Sequence, residues 1–248
     1  MAKHLLVTGG SRGIGAATAR LGAAQGWNVT LNYARDAAAA ELTVKAIEAA
    51  GGRAAAIQGD LSRDGAAEAL WDAAEAAFGP VCGFVNNAGV IGRMAPLAER
   101  PAEDIRRVID LNVTGALLAA REAARRMPTD RGGPGGAIVN VSSAAARLGG
   151  PGSQTDYAAS KGAIDTLTWG LAAELGPGGV RVNGVRPGII ATDIHSDLGD
   201  PGRIQAIGNA TPAGRPGEAE EVAEAILWLL SDAASYVTGS TIDVSGGR

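Results

Sequence analysis

Seven short β-forming runs alternate with helical segments along the chain, and this alternation leaves few folds open. The runs cover residues 5–7, 28–33, 54–58, 82–86, 137–141, 180–186 and 241–244. Helical patterns fill most of the gaps, over about 13–25, 36–50, 65–78, 102–127, 155–175 and 218–230. A strand followed by a helix and another strand returns in parallel, so the order predicts a doubly wound parallel sheet of about seven strands with helices on both faces. No linker interrupts the pattern, which predicts one α/β domain over residues 1–248. The Gly- and Pro-rich stretch at about 188–217 reads as a loop insertion with at most a short helix.

Composition narrows the function classes. The 248 residues are 46% hydrophobic but only 4% aromatic, so the core is expected to be close-packed Ala, Val, Leu and Ile. A net charge of −4 provides no broad basic field for nucleic acid or an anionic membrane. The single cysteine, Cys82, excludes an internal disulfide and reads as a small core residue. Neither His4 nor His195 lies in a ligand-spaced motif, so no metal site is expected. The start of the chain is too short in apolar residues for a signal peptide, and no stretch approaches the roughly 20 apolar residues of a membrane span. The expected compartment is the cytoplasm.

The turn after the first run carries the first functional signal. Gly9, Ser11, Arg12, Gly13, Ile14 and Gly15 join it to the first helix. Glycines let the backbone turn sharply, and the helix start then presents unpaired N–H groups and a positive dipole end to a pyrophosphate. That context predicts a Rossmann-type dinucleotide site. The second run ends in Asn32, Tyr33, Ala34 and Arg35, with no acid to accept from a ribose 2′-hydroxyl. Arg12 and Arg35 are instead placed for the 2′-phosphate of NADP(H), which favours NADP(H) over NAD.

Four motifs in order resemble the short-chain dehydrogenase/reductase family along essentially the whole chain. They are the Thr8–Gly15 turn, Asn86-Asn87-Ala88-Gly89, Tyr157-x-x-x-Lys161 and Pro187-Gly188. Tyr236 to Gly239 and Asp243 fit the family's C-terminal end. The resemblance implies that Asp60 and Leu61 border the adenine, and that Asn87, Ala88 and Gly89 flank the adenine ribose and pyrophosphate. It also implies that Pro187, Gly188, Ile190 and Thr192 lie on the nicotinamide side.

Tyr157 and Lys161, four residues apart, share one helix face. Carbonyl reduction needs a proton as well as a hydride, and nicotinamide supplies only the hydride. The reverse reaction needs a base. Bringing a phenol from a pKa of about 10 to near 7 takes about 4 kcal/mol. A cation about 4 Å away, at an effective dielectric of about 20, supplies a Coulomb energy of that size before desolvation is counted. Lys161, with the oxidised nicotinamide ring, is the candidate cation. A serine at the end of the fifth run can donate to the substrate oxygen. Spacing does not choose between Ser142 and Ser143, and the resemblance implies Ser143. Asn112 stands in Asp110-Leu111-Asn112-Val113-Thr114-Gly115, a poor helix interior, which predicts a kink or a functional site there. The resemblance implies that this asparagine holds a water linking the lysine to solvent, completing a set of Asn112, Ser143, Tyr157 and Lys161.

These signs point to an NADP(H)-dependent oxidoreductase interconverting a carbonyl and a secondary alcohol. The segment 195–217 is expected to cover the substrate. It holds no Phe, Tyr or Trp, which speaks against a bulky aromatic or steroid substrate and for a small carbonyl compound or sugar. The chain is similar overall to bacterial 3-oxoacyl-carrier-protein reductases and glucose 1-dehydrogenase-like members, so carrier-protein reduction is an alternative. The Gly176-Pro177-Gly178-Gly179 end of the Tyr–Lys helix lacks basic residues for docking a carrier protein, although Arg125, Arg126 and Arg131 lie elsewhere. A sensor that binds NADP(H) without turnover is the other alternative. The family usually forms tetramers, so a homotetramer is expected.

Overall fold

Period-two hydrophobicity decides which way each strand faces. In the computed structural model, which describes residues 3–192 and 201–248, β1 (His4–Val7) sends Leu5 and Val7 to one face and Leu6 to the other. The same alternation sets Val139 and Val141 opposite Ile138 in β5 (Gly136–Val141). Both faces are apolar because both are covered.

The remaining strands are β2 (Asn28–Tyr33), β3 (Arg53–Gln58), β4 (Gly83–Asn86), β6 (Val180–Pro187) and β7 (Thr241–Val244). All seven pair in parallel in the order β3-β2-β1-β4-β5-β6-β7, which is the Rossmann-type order expected of a doubly wound sheet. The order reverses between β1 and β4, and a crevice opens there beyond the carboxyl ends of the strands.

On one face pack α1 (Gly13–Ala24), α2 (Ala37–Ala49) and a C-terminal amphipathic helix, Ala219–Leu230. That last helix starts at a capping box in which Glu218 and Glu221 satisfy each other's backbone N–H groups. It buries Val222, Ile226, Leu229 and Leu230, each about 1.5–3 kcal/mol if fully withdrawn from water. On the other face pack α3 (Ala66–Phe78), the helix Ala116–Arg126 and the long helix Thr155–Leu175, around Trp71, Phe84 and Leu175. No helix among the described residues is long and apolar enough to cross a membrane.

The predicted long helix over 102–127 is interrupted. Its first part, Ala102–Ile109, passes through a π-helical turn, Asp110–Gly115, before Ala116–Arg126 resumes. A Cβ at Gly115 would stand 2.5 Å from the Leu61 carbonyl oxygen, so only glycine allows this approach. The predicted insertion is closed at its neck. Ala191 N–H donates to Gly217 O at 2.8 Å, and Gly217 N–H donates to Ile189 O at 2.9 Å. Among its described residues lies a nine-residue helix, Pro201–Asn209. His195 and the first part of the expected substrate cover lie outside the described residues. His4 uses both ring nitrogens inside the scaffold, on Gly79 O at 2.8 Å and Thr30 Oγ1 at 2.9 Å.

Candidate active site

The turn between β1 and α1 is built by bonds from its neighbours. The Thr8 hydroxyl accepts from the N–H groups of Asn87 and Ala88, at 2.9 and 3.0 Å. The Asn87 amide donates back to Thr8 O and Gly9 O. Gly13 has φ +56, and a Cβ at Gly15 would stand 2.3 Å from Gly9 O, so the turn needs glycine at both. No side chain caps α1, and its first-turn N–H groups have no intrahelical acceptor. They border a cleft of about 1340 Å³ that extends from Gly9, Ser11, Arg12, Gly13, Ile14 and Gly15 past Asn87, Ala88 and Gly89. An uncapped helix start on a long cleft fits the pyrophosphate of a dinucleotide.

The other end of the cleft is lined by Asn32, Tyr33, Ala34, Arg35, Asp60 and Leu61. Asn32 is buried and works for the scaffold: its amide donates to Gly59 O at 2.9 Å and its oxygen accepts from Gly9 N–H at 3.4 Å. Asp36, the first acid after β2, caps α2 by accepting from Ala39 N–H at 2.9 Å. Asp60 accepts from the Ser62 hydroxyl at 2.7 Å, which holds its carboxyl below the usual range.

A second cavity, about 390 Å³, opens off the cleft, and Ile14, Asn87, Gly89 and Thr192 border both. Tyr157, Lys161, Ser143, Pro187, Gly188 and Ile190 lie on its walls. Lys161 is 5% exposed and donates to Val141 O at 2.8 Å. Burial brings its ammonium down to about 8, against the opposing charge of Asp165. The Lys161 Nζ lies 5.8 Å from the Tyr157 ring centroid. Burial pushes the Tyr157 phenol up, and the neighbouring Ser143 hydroxyl partly offsets this. The protein alone therefore holds the phenol protonated at neutral pH, where the Coulomb argument without desolvation pointed the other way. The two serines separate: Ser142 donates to the Lys161 carbonyl at 3.0 Å, while Ser143 lines the cavity with Tyr157 and accepts from Ala145 N–H at 3.1 Å.

Asn112 lies behind the cavity, buried at the π turn. It accepts from Val90 N–H and donates to Val90 O, each at 2.8 Å, which accounts for the disturbed helix at this point. It also donates to the Ser160 hydroxyl at 3.1 Å, and Ser160 donates to Tyr157 O at 2.7 Å. Ser160 was readable only as a small residue within the Tyr–Lys spacing. The substrate-side walls were not foreseen either: Ile91, Met94, Leu148 and Ile207 make them apolar, with Gln154 and Ser153 between. Two of these walls are locked together. Ala95 N–H donates to Ser153 O at 2.9 Å, and Arg100 Nε donates to Asp156 Oδ2 at 3.1 Å in a buried ion pair.

The chain resembles known proteins over nearly its whole length. A family profile described as "Enoyl-(Acyl carrier protein) reductase" matches residues 9–248. The uncharacterized oxidoreductase YgfF of Escherichia coli is 52% identical over 243 residues, covering 98% of each chain. The 3beta-hydroxysteroid dehydrogenase 1 of Eggerthella lenta is 45% identical, covering 99% of this chain and 93% of its own. A blue fluorescent protein from a metagenomic library, solved in complex with NADPH, superposes with a TM-score of 0.90 at 36% identity, over 99% of this chain and 97% of its own. The protein is an oxidoreductase of the short-chain dehydrogenase/reductase family.

Proposed function

We propose that the protein is an NADPH-dependent reductase of small carbonyl compounds, with Tyr157 as the proton donor. The observation that carries this reading is the buried Tyr157, which shares with Ser143 and Lys161 a cavity continuous with the cleft at the start of α1. Gly9, Ser11, Gly13, Ile14 and Gly15 would hold the pyrophosphate, and Asn87, Ala88 and Gly89 the neighbouring ribose. Asp60 and Leu61 would border the adenine. Pro187, Gly188, Ile190 and Thr192 would hold the nicotinamide end. Bound NADPH supplies a hydride. Ser143 and Tyr157 orient the carbonyl oxygen, and Tyr157 donates its proton as charge develops there. Lys161 stabilises the resulting phenolate. Asn112 keeps the Val90 backbone and Ser160 in place beside the lysine.

NADPH is favoured over NADH because Arg35 follows β2 on the cleft wall and Arg12 lines the same cleft, while the first acid after β2, Asp36, caps α2. A relative of the same fold binds NADPH. The expected result is a kcat/KM at least about tenfold higher with NADPH than with NADH, narrowed in Arg35→Asp. Equal efficiency with both cofactors would refute the preference.

Apolar walls suit a hydrocarbon body better than a polyol, so a small carbonyl compound is favoured over a sugar. The same walls favour, as a second reading, the hydroxysteroid suggested by the name of the Eggerthella lenta relative. Carrier-protein docking loses support. Arg126 is spent on Asp72, Glu75 and Glu122, Arg125 on Glu122, and Arg131 on Ala124 O. Leu117, Trp169, Trp228 and Tyr236 remain exposed apolar surface, which supports self-association as a homotetramer. Light scattering at the mass of four chains is the expected result, and a monomer mass would contradict it.

A further inference from the structure

A chain of alternating charges runs from the candidate lysine to the surface. Asp165 lies one turn after Lys161 on Thr155–Leu175, so the two side chains share a face. Both are buried, at 7% and 5% exposure. Arg186 of β6 bonds Asp165 through Nε at 2.9 Å. The same guanidinium reaches Asp243 of β7 at 3.4 Å, and Asp243 pairs with Arg147 at 2.6 Å on the short helix Ala145–Leu148. The order is Lys161, Asp165, Arg186, Asp243, Arg147, with signs alternating throughout. One carboxylate oxygen of Asp165, Oδ1, is buried without a hydrogen-bond partner among the described residues. A charge with an unsatisfied oxygen in the interior is costly unless it serves a neighbour.

We propose that Asp165 is a positioning residue for the reaction: it is the counter-ion that keeps Lys161 protonated in the interior, and the Arg186–Asp243–Arg147 chain moderates its pull. This rests on the reading of Lys161 as the cation beside Tyr157. A buried ammonium without a counter-charge neutralises by losing its proton. Among the described residues Lys161 has one hydrogen-bond acceptor, the neutral Val141 carbonyl, so Asp165 acts on it through space. The other groups around the pair are the Tyr157 phenol on the same helix, neutral Asn112 from the π turn, and Arg186, Asp243 and Arg147 from β6, β7 and Ala145–Leu148. Of these only Asp165 and Asp243 are acidic, and Asp243 stands beyond Arg186. The carboxylate of Asp165 therefore supplies the near negative charge.

The sequence makes the direct test simple, because Lys3, Lys45 and Lys161 are its three lysines. Lysine labelled with ¹³C at Cε gives three NMR titration curves in the cofactor-free protein, and Lys161→Met assigns the buried one. In Asp165→Asn the Lys161 midpoint should fall by at least about one pH unit, the size expected for one charge a helical turn away. In Arg186→Gln it should rise, because Asp165 then acts undivided. The alkaline limb of carbonyl reduction should move the same way in each variant. A packing role alone would not move the two midpoints in opposite directions. An unmoved midpoint in Asp165→Asn would overturn the inference; should that variant not fold, an unmoved or lowered midpoint in Arg186→Gln would do so. The proton-transfer reading fails separately, if Lys161→Met keeps wild-type turnover.

Discussion

Tyr157→Phe is expected to lower kcat by about 10²–10⁴-fold, the usual worth of a positioned general acid, and to leave the Kd for NADPH nearly unchanged. The argument rests on what the substitution removes. The phenol is buried, held protonated by that burial, and lines the cavity with Ser143. Phenylalanine keeps the ring and its packing against Ile91, Val108, Ala145 and Ala158, so the cavity keeps its shape. The hydroxyl alone is lost, and with it the proton donor nearest the expected carbonyl. The cleft that would hold the dinucleotide is built by the α1 turn and the ends of β2 to β4, none of which leans on this hydroxyl. Single-turnover kinetics together with NADPH titration by fluorescence separate the two effects. A kcat within about twofold of wild type would remove Tyr157 from the mechanism.

Arg100→Met should cost about 3–5 kcal/mol of stability, because it leaves Asp156 as an uncompensated buried carboxylate. The Arg100 side chain is 0% exposed and that of Asp156 3%. The pair is also imperfectly satisfied, since Arg100 Nη1 and Asp156 Oδ1 have no hydrogen-bond partner among the described residues. For that reason the double variant Arg100→Met with Asp156→Leu should recover much of the loss, as replaced buried ion pairs often do. Asp156 immediately precedes Tyr157, and Arg100 ends the segment that carries Ile91 and Met94, so the pair also sets the width of the substrate cavity. Denaturant midpoints for the single and double variants measure the coupling. A loss below about 1 kcal/mol in the single variant would show that the pair is not needed.

Much of this architecture was legible because its signals are local and repeated. Strand 28–33 alternates Val29, Leu31 and Tyr33 with polar residues, helix 155–175 runs between glycine-rich ends, and the structure reproduces both. The weak helix formers around Asn112 announced a disturbance without its form. The π turn comes from the clasp of Asn112 on Val90, a contact between residues 22 apart that no local pattern encodes. Asn32 was legible as a cleft residue, but its amide is committed to Gly59, across the sheet. The choice between Ser142 and Ser143 needed the direction of each side chain. The apolar substrate walls needed tertiary structure altogether, since Ile91, Leu148 and Ile207 lie far apart in sequence and meet only around the cavity. The phenol's protonation depended on desolvation, which spacing does not reveal.

The most direct test of the central claim is steady-state oxidation of NADPH by the wild-type protein against a panel of small carbonyl compounds, with a hydroxysteroid pair and a sugar included. The account predicts turnover with at least one carbonyl compound of largely hydrocarbon body. Tight NADPH binding without turnover of any panel member would contradict it and favour a cofactor sensor.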